Sequence, residues 1–321
     1  MKAIIFDGEL RFVTNHPIPE PGEGEALIKI RLAGICNTDL EIIKGYMGFR
    51  GVIGHEFVGT VEKVKGDQRR FLGKRVVGEI NCGCGVCRYC KAGLKRHCPS
   101  RITFGIDRKD GALAEYATLP VDNLFIVPEN VKDEEAVFVE PLAAAYEILE
   151  QMHVRPTDKV LVLGDGKLGL LVSFVLHLSQ TQVVIAGKHE HKLAIARDQG
   201  ITIIVQEALT AEKTFDIVVD ATGSPHGLET ALQFVKPRGT VVLKTTAAER
   251  TTMNLASVVV DEVTIIGSRC GPFAPALSSL AEKRIRVGPL ISGIYSFSHA
   301  AEGFAKAQEK DFLKALIDFS N

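Results

Sequence analysis

One stretch limits what this chain can fold into more than any other. Val160-Leu161-Val162-Leu163 is an apolar run that passes directly into Gly164-Asp165-Gly166-Lys167-Leu168-Gly169, and residues 168–178 then carry helical apolar spacing. A strand that turns through glycines into a helix opens a β–α–β unit, because parallel strands need a helical crossover. The same alternation extends on both sides. Residues 141–151 read as a helix with Pro141 at its first position and Glu140 near its N-cap. Strands are predicted over 159–163, 183–186, 215–220 and 240–244, with helices over 190–199 and 227–235. Such alternation specifies an α/β fold, a doubly wound parallel sheet covered by helices on both faces.

The turn itself carries chemistry. Gly164 permits the tight turn, Gly166 lets a pyrophosphate approach the backbone, and Gly169 lets helix and strand pack closely. The first-turn N–H groups, at Lys167 and Leu168, face the phosphates. This is the Rossmann pattern of a dinucleotide site; the competing reading is a glycine-rich turn with no ligand, and the flanking strand and helix argue against it. An NAD site ends its second strand in an acid that accepts ribose hydroxyls. Here that strand runs into Gly187-Lys188-His189, with no acid before Glu190. A glycine leaves room, Lys188 adds positive charge and His189 adds a donor, so NADP is expected in preference to NAD. The alternative is a merely solvated Lys188 with Glu190 as the acid.

Five of the seven cysteines fall within one short stretch. Cys84, Cys87, Cys90 and Cys98 lie on a turn-rich loop with Gly83, Gly85 and Gly93. Four soft ligands from one compact loop suit a closed, tetrahedral, structural zinc site. Disulfides or free thiols are the competing reading. His97 is a conceivable substitute for Cys98, and Cys82 is a spare thiol; Cys36 and Cys270 stand apart.

Residues 1–130 have a different character. Ala26, Ile28, Ile30 and Leu32 alternate with Leu27, Lys29, Arg31 and Ala33, a period of two. Further strands are predicted over 57–64 and 75–80, so the pattern is antiparallel or barrel-like. A length of 321 residues fits about two domains. Lys+Arg total 38 against Asp+Glu 39, a net charge of -1, which excludes a general attraction to nucleic acid or an anionic membrane surface. The apolar run at the N-terminus is too short for a secretory signal, and no stretch of about 18 apolar residues suggests a membrane span. A cytoplasmic location is expected.

Cys36-Asn37-Thr38-Asp39 ends a predicted strand, Gly54-His55-Glu56 begins another, and Glu140 opens a helix. Alone, Cys36 reads as a core thiol, His55 as a buried histidine and Glu140 as a helix cap. Together with Gly59, the four-cysteine loop, Gly111-Ala112-Leu113-Ala114-Glu115-Tyr116, Glu140-Pro141-Leu142-Ala143, the glycine-rich turn, Asp220-Ala221-Thr222-Gly223 and Gly267-Ser268, the order of motifs resembles the zinc-dependent medium-chain dehydrogenase/reductase (alcohol dehydrogenase) superfamily over nearly the whole chain.

The resemblance implies a Rossmann domain over 141–268 inserted into a GroES-like, β-rich catalytic domain of 1–140 and 269–321, with the active site in the cleft between them. It implies two zinc ions per chain, one structural and one catalytic. Cys36, His55 and Glu140 match the catalytic ligands, and Glu56 matches a glutamate that can exchange with water at the metal. Asp39 matches the residue that orients the histidine, Thr38 the group that takes the substrate proton, and Thr222 a cofactor contact. Glu41 stands where many members carry a relay histidine, so the proton route departs from the family pattern. Lys65 replaces a small residue, and only 18 residues separate Cys36 from His55, which is short for the family. The implied activity is hydride transfer between NADP, or NAD, and a secondary alcohol or polyol or the corresponding ketone or aldehyde, by a homodimer or homotetramer acting on small molecules. Two rivals are a zinc-free quinone or enone reductase of the same superfamily and a non-enzymatic, zinc- and nucleotide-binding redox sensor.

Overall fold

The computed structural model describes residues 1–246 and 252–320. The chain divides into two compact units. One comprises Met1–Glu140, Ala276–Glu282 and the chain from Ile291; the other comprises Pro141–Pro275 and Lys283–Leu290.

The second unit is built on a six-stranded parallel sheet. Its strands lie in the order Thr202–Val205, Gln182–Gly187, Lys159–Leu163, Phe215–Asp220, Val235–Leu243 and Thr264–Gly267. Numbered along the chain this is 3-2-1-4-5-6, the doubly wound dinucleotide-binding order, and the strand order reverses beside the central strand Lys159–Leu163. That strand has Val160, Leu161 and Val162 fully buried, as a strand covered on both faces must. The strands Thr202–Val205 and Thr264–Gly267 have no counterpart in the sequence reading. Both lie at edges, are only four residues long and are partly exposed, so they lack the continuous apolar signal of the interior strands.

The first unit is β-rich. A seven-stranded sheet contains Leu124–Ile126, Arg75–Gly78, Glu56–Val64, Glu25–Gly34, Lys314–Asp318 and Ile291–Ser296 in that order, with Tyr116–Pro120 pairing to Glu25–Gly34. The C-terminal strand Lys314–Asp318 is antiparallel to Glu25–Gly34, so the end of the chain completes the sheet that its beginning starts. A small sheet of Asn81–Cys82, Ile102–Phe104 and Arg108–Lys109 brackets the cysteine loop.

Two local expectations are corrected. Residues 36–39 do not extend a strand: the strand stops at Gly34, and Asn37–Ile43 is a helix with Cys36 at its N-cap. Glu140 is not a cap residue, because the helix starts at Val139 and runs to Gln151, which places Glu140 inside the first turn. There a carboxylate still favours the positive end of the helix dipole.

Candidate functional site

The first unit gathers Cys36, His55 and Glu56. One ligand atom from each lies within 4.8 Å of the others. Cys36 comes from the helix N-cap and His55 from the turn before the strand Glu56–Val64. Asp39, fully buried, holds the constellation together. It accepts the Cys36 N–H at 2.7 Å and the Gly54 N–H at 3.2 Å, and its Oδ1 lies 3.3 Å from His55 Nδ1. Alignment at His55 Nδ1 falls short of a hydrogen bond, so this buried ring nitrogen is unsatisfied. Burial opposes charge on the imidazole, yet the Asp39 carboxylate and the Cys36 sulfur outweigh it and hold its pKa well above the ordinary value. The pocket is thus built to stabilise positive charge with one thiol, one imidazole and one carboxylate, which fits a zinc ion.

Glu56 is held from behind. Its Oε2 is paired with the Lys314 ammonium, and both residues are 1% exposed. Lys314 also sits 5.6 Å from the Phe138 ring centroid. Burial opposes the charge on Lys314, but the Glu56 carboxylate raises its pKa. Glu140 does not join the three-residue cluster within 4.8 Å. Burial pushes its carboxyl up to about 7, with His55 pulling it down and Glu56 and Glu79 pushing it up. Thr38 Oγ1 lies 3.8 Å from Cys36 Sγ, so the helical turn brings the two together. Glu41 faces outward and accepts Lys44 Nζ at 2.9 Å.

Cys84, Cys87, Cys90 and Cys98 form a second cluster, again within 4.8 Å. Backbone N–H groups of Cys84 and Cys90 donate to Cys98 and Cys87 sulfurs at 3.4 and 3.5 Å. Backbone N–H groups of Val86 and Cys87 draw the Cys84 thiol down to about 6, whereas burial pushes Cys90 up to about 11. Four sulfurs this close fit a soft divalent cation. Cys82 lies in the neighbouring strand as a buried core thiol, pushed up to about 12 by burial. Glu79 links this lobe to the first cluster: Arg96 lies 3.6 Å from it, and its charge is felt at Glu140.

In the second unit, Gly164 adopts φ 111°, and a Cβ there would strike the Ala221 carbonyl at 2.6 Å. A Cβ on Gly169 would lie 2.0 Å from the Gly164 carbonyl, whereas one on Gly166 would meet nothing within 4 Å. The turn is therefore tight where the chain packs on itself and open where a phosphate would approach. Lys167 and Leu168 begin the helix Lys167–Leu178, which Gly166 caps without a side chain. Thr222 closes the neighbouring loop, with its N–H and hydroxyl both on Asp220 Oδ1 at 3.0 and 2.7 Å. Lys188 is exposed beside the strand end. The space expected beyond Gly187 is filled: Asp165 packs against it and bonds to His189.

The sequence reading missed Lys314, Glu79 and this role of Asp165. Lys314 is 258 residues from Glu56, and only its place in the otherwise apolar run Lys314-Ala315-Leu316-Ile317 marked it.

This is the fold of a zinc- and dinucleotide-dependent dehydrogenase. Comparison with known proteins agrees. The family model "Alcohol dehydrogenase GroES-like domain" matches residues 22–129, and "Zinc-binding dehydrogenase" matches 168–282. L-threonine 3-dehydrogenase of Streptomyces coelicolor is 30% identical over 344 residues, covering 100% of both chains. Starvation-sensing protein RspB of Escherichia coli K12 is 29% identical over 339 residues, again covering 100% of both. Among solved structures, an alcohol dehydrogenase (rspB) from E. coli CFT073 complexed with NADH superposes with a TM-score of 0.91 at 29% identity, covering 99% of each chain. A zinc-binding dehydrogenase from Sinorhizobium meliloti 1021 bound to NADP gives 0.88 at 26% identity, covering 99% of this chain and 98% of that one. The chain belongs to the zinc-dependent medium-chain dehydrogenase/reductase superfamily. It is an NAD(P)-dependent dehydrogenase of the zinc type, acting on small molecules. No described helix is long and apolar enough to cross a membrane.

Proposed function

We propose that this chain catalyses reversible hydride transfer between NADP, in preference to NAD, and a secondary alcohol or polyol or its ketone or aldehyde counterpart. The observation that carries this reading is the cluster of half-buried Cys36 with buried His55 and Glu56, braced by Asp39 and Lys314 and bordered by Thr38. Cys36, His55 and Glu140 are the residues assigned to a catalytic zinc, with Glu56 as an exchangeable ligand; Cys84, Cys87, Cys90 and Cys98 are assigned to a second, structural zinc. A zinc held in the first site would supply Lewis-acid polarisation of the substrate oxygen, and a bound nicotinamide would supply the hydride donor or acceptor.

The chain's own residues do the rest. Asp39 fixes the Cys36 backbone and stands beside the His55 ring, which keeps two ligands in place before metal arrives. The Thr38 hydroxyl, at the rim of the cluster, takes the proton from the substrate alcohol and hands it to water. Glu41, which faces outward and pairs with Lys44, fits the reading in which it meets solvent and takes no part in the relay. The nicotinamide reading is supported by the open turn at Gly166 and by relatives bound to NADH and to NADP. Preference for NADP is supported by exposed Lys188 and by His189 at the end of the second strand. An alcohol substrate is supported by relatives named L-threonine 3-dehydrogenase. We place the enzyme in the cytoplasm as a homodimer, or a tetramer built from dimers; the exposed sheet edge Thr264–Gly267 is the feature that favours self-association.

The test joins metal analysis to a panel of alcohols and carbonyls run with both cofactors. Two zinc ions per chain and turnover of a secondary alcohol are expected, with His55→Ala abolishing turnover and leaving one zinc. One zinc in the wild type, with turnover of an enone or quinone untouched by His55→Ala, would point to the zinc-free reductase. NADPH binding without turnover of any panel member would point to a sensor.

A further inference from the structure

The end of the second parallel strand is occupied by a residue from elsewhere. A Cβ on Gly187 would lie 2.4 Å from Asp165 Cβ and 2.6 Å from its Cγ and Oδ2, closer than such atoms approach. Asp165 belongs to the glycine-rich turn and is itself buried. Its Oδ2 accepts the backbone N–H of His189 at 2.6 Å and lies 2.9 Å from His189 Nδ1. A carboxylate can only accept, so the ring proton of that contact sits on Nδ1. Residue 189 is therefore fixed twice, through its backbone and its ring, and Nε2 is turned away from Asp165. Lys188 and Glu190 flank it, both exposed, while the His191 ring stands 5.9 Å away and Lys192 is buried below.

We propose that Asp165 is a positioning residue for the adenosine end of the cofactor: it orients His189 onto the 2′-phosphate, and its bulk is why the strand must end in glycine. The inference rests on the reading of NADP as the preferred cofactor. A ring that donates to Asp165 from Nδ1 and to a phosphate from Nε2 carries both N–H groups, each facing an anion. Lys188 adds a second positive charge at the same strand end. A ribose hydroxyl offers no such charge, so NAD gains little from the pair. Asp165 Oδ2 meets residue 189 at both its backbone N–H and its ring, which marks Asp165 as a support for the histidine. An acid grafted at 187 alone would collide with it.

Adenosine 2′,5′-bisphosphate and adenosine 5′-monophosphate test this directly, since neither carries nicotinamide or requires zinc. Calorimetric titration into wild type, Asp165→Asn, His189→Ala and the double variant gives a complete cycle. Either single change is expected to weaken the bisphosphate by about tenfold and the monophosphate by less than about twofold. The double variant is expected to bind no worse than His189→Ala, because Asp165 acts through the histidine. A wild type that prefers the bisphosphate and keeps that preference in Asp165→Asn would overturn the inference and leave the NADP reading standing. Tighter bisphosphate binding with weaker monophosphate binding in Asp165→Asn would also overturn it, making Asp165 the ribose acid. Losses that are equal for both ligands, or that add in the double variant, reduce Asp165 to a structural part. A wild type that binds both ligands alike defeats the NADP reading, and the inference with it.

Discussion

Lys314 is a long cation in a place that excludes water. Its pairing with Glu56 closes the first cluster from behind, and each partner alone would be an uncompensated buried charge. Removing one member of such a pair typically costs about 3–5 kcal/mol, whereas replacing both by neutral groups is far milder. Lys314→Met should therefore lower unfolding stability by about 3–5 kcal/mol, and Glu56→Gln in the same chain should restore much of it. Urea denaturation of the two variants beside wild type measures this. A loss below about 1 kcal/mol for Lys314→Met would mean that another group already balances the glutamate. The pair also explains Gly34: a Cβ there would meet Glu56 Oε2 at 2.7 Å and Val137 Cγ1 at 2.9 Å, so the strand leaves room for the carboxylate at the point where it passes the cluster.

At the scale of elements, the helix Asn37–Ile43 does what a continued strand was expected to do, by a different route. A strand would set Cys36 and Thr38 on one face through its period of two. The helix instead places Cys36 at the cap and Thr38 in the first turn, with Asp39 at the third position returning its carboxylate to the cap N–H. An acid three residues after the cap is a capping signal visible in Cys36-Asn37-Thr38-Asp39, and it outweighs the β pattern that precedes it. If the Thr38 hydroxyl takes the substrate proton, Thr38→Val should cut kcat by about 10²–10⁴-fold while Thr38→Ser keeps most of it, with zinc content unchanged in both. Full turnover in the valine variant would remove Thr38 from the mechanism. The cysteine lobe makes the opposite kind of prediction. Its sheet is three short strands, too small to hold the loop without a ligand. Cys87→Ser should release one zinc and lower Tm, whereas His55→Ala should release one zinc with Tm nearly kept. Equal unfolding in both would defeat this division of labour. Motifs with local spacing were legible in the sequence: the four cysteines, the glycine-rich turn and the interior strands. What was not legible is where distant chain segments return, because the contact of Glu56 with Lys314, and that of Gly187 with Asp165, follow from the tertiary path and leave no periodicity behind.

At the scale of the whole molecule, the sheet edge at Thr264–Gly267 bears on self-association. Among the described residues, Thr264–Gly267 pairs only with Val235–Leu243, and its outer side ends the six-stranded order. Short length is one device that discourages pairing with another chain, but the devices that the strand's own residues could supply are missing here. The strand is Thr-Ile-Ile-Gly, without lysine, proline or bulge, and the preceding helix Ala256–Val260 exposes Val259 at 76% and Val260 at 79%. Ile265 and Leu255 are also exposed, so strand backbone and apolar side chains lie on neighbouring elements. Exposed apolar groups on elements beside an unpaired edge are what self-association at this edge would use, and a two-fold axis there would pair the strand with its own copy. Ile265→Lys together with Val260→Lys places charge at that edge without touching the four-cysteine cluster, the Cys36, His55 and Glu56 cluster or the glycine-rich turn. Sedimentation at micromolar concentration should then turn a wild-type dimer into a monomer, with zinc content and adenosine-phosphate binding retained. A double-lysine variant that still sediments as a dimer would put the interface elsewhere, and a monomeric wild type would remove self-association from the account of this edge altogether.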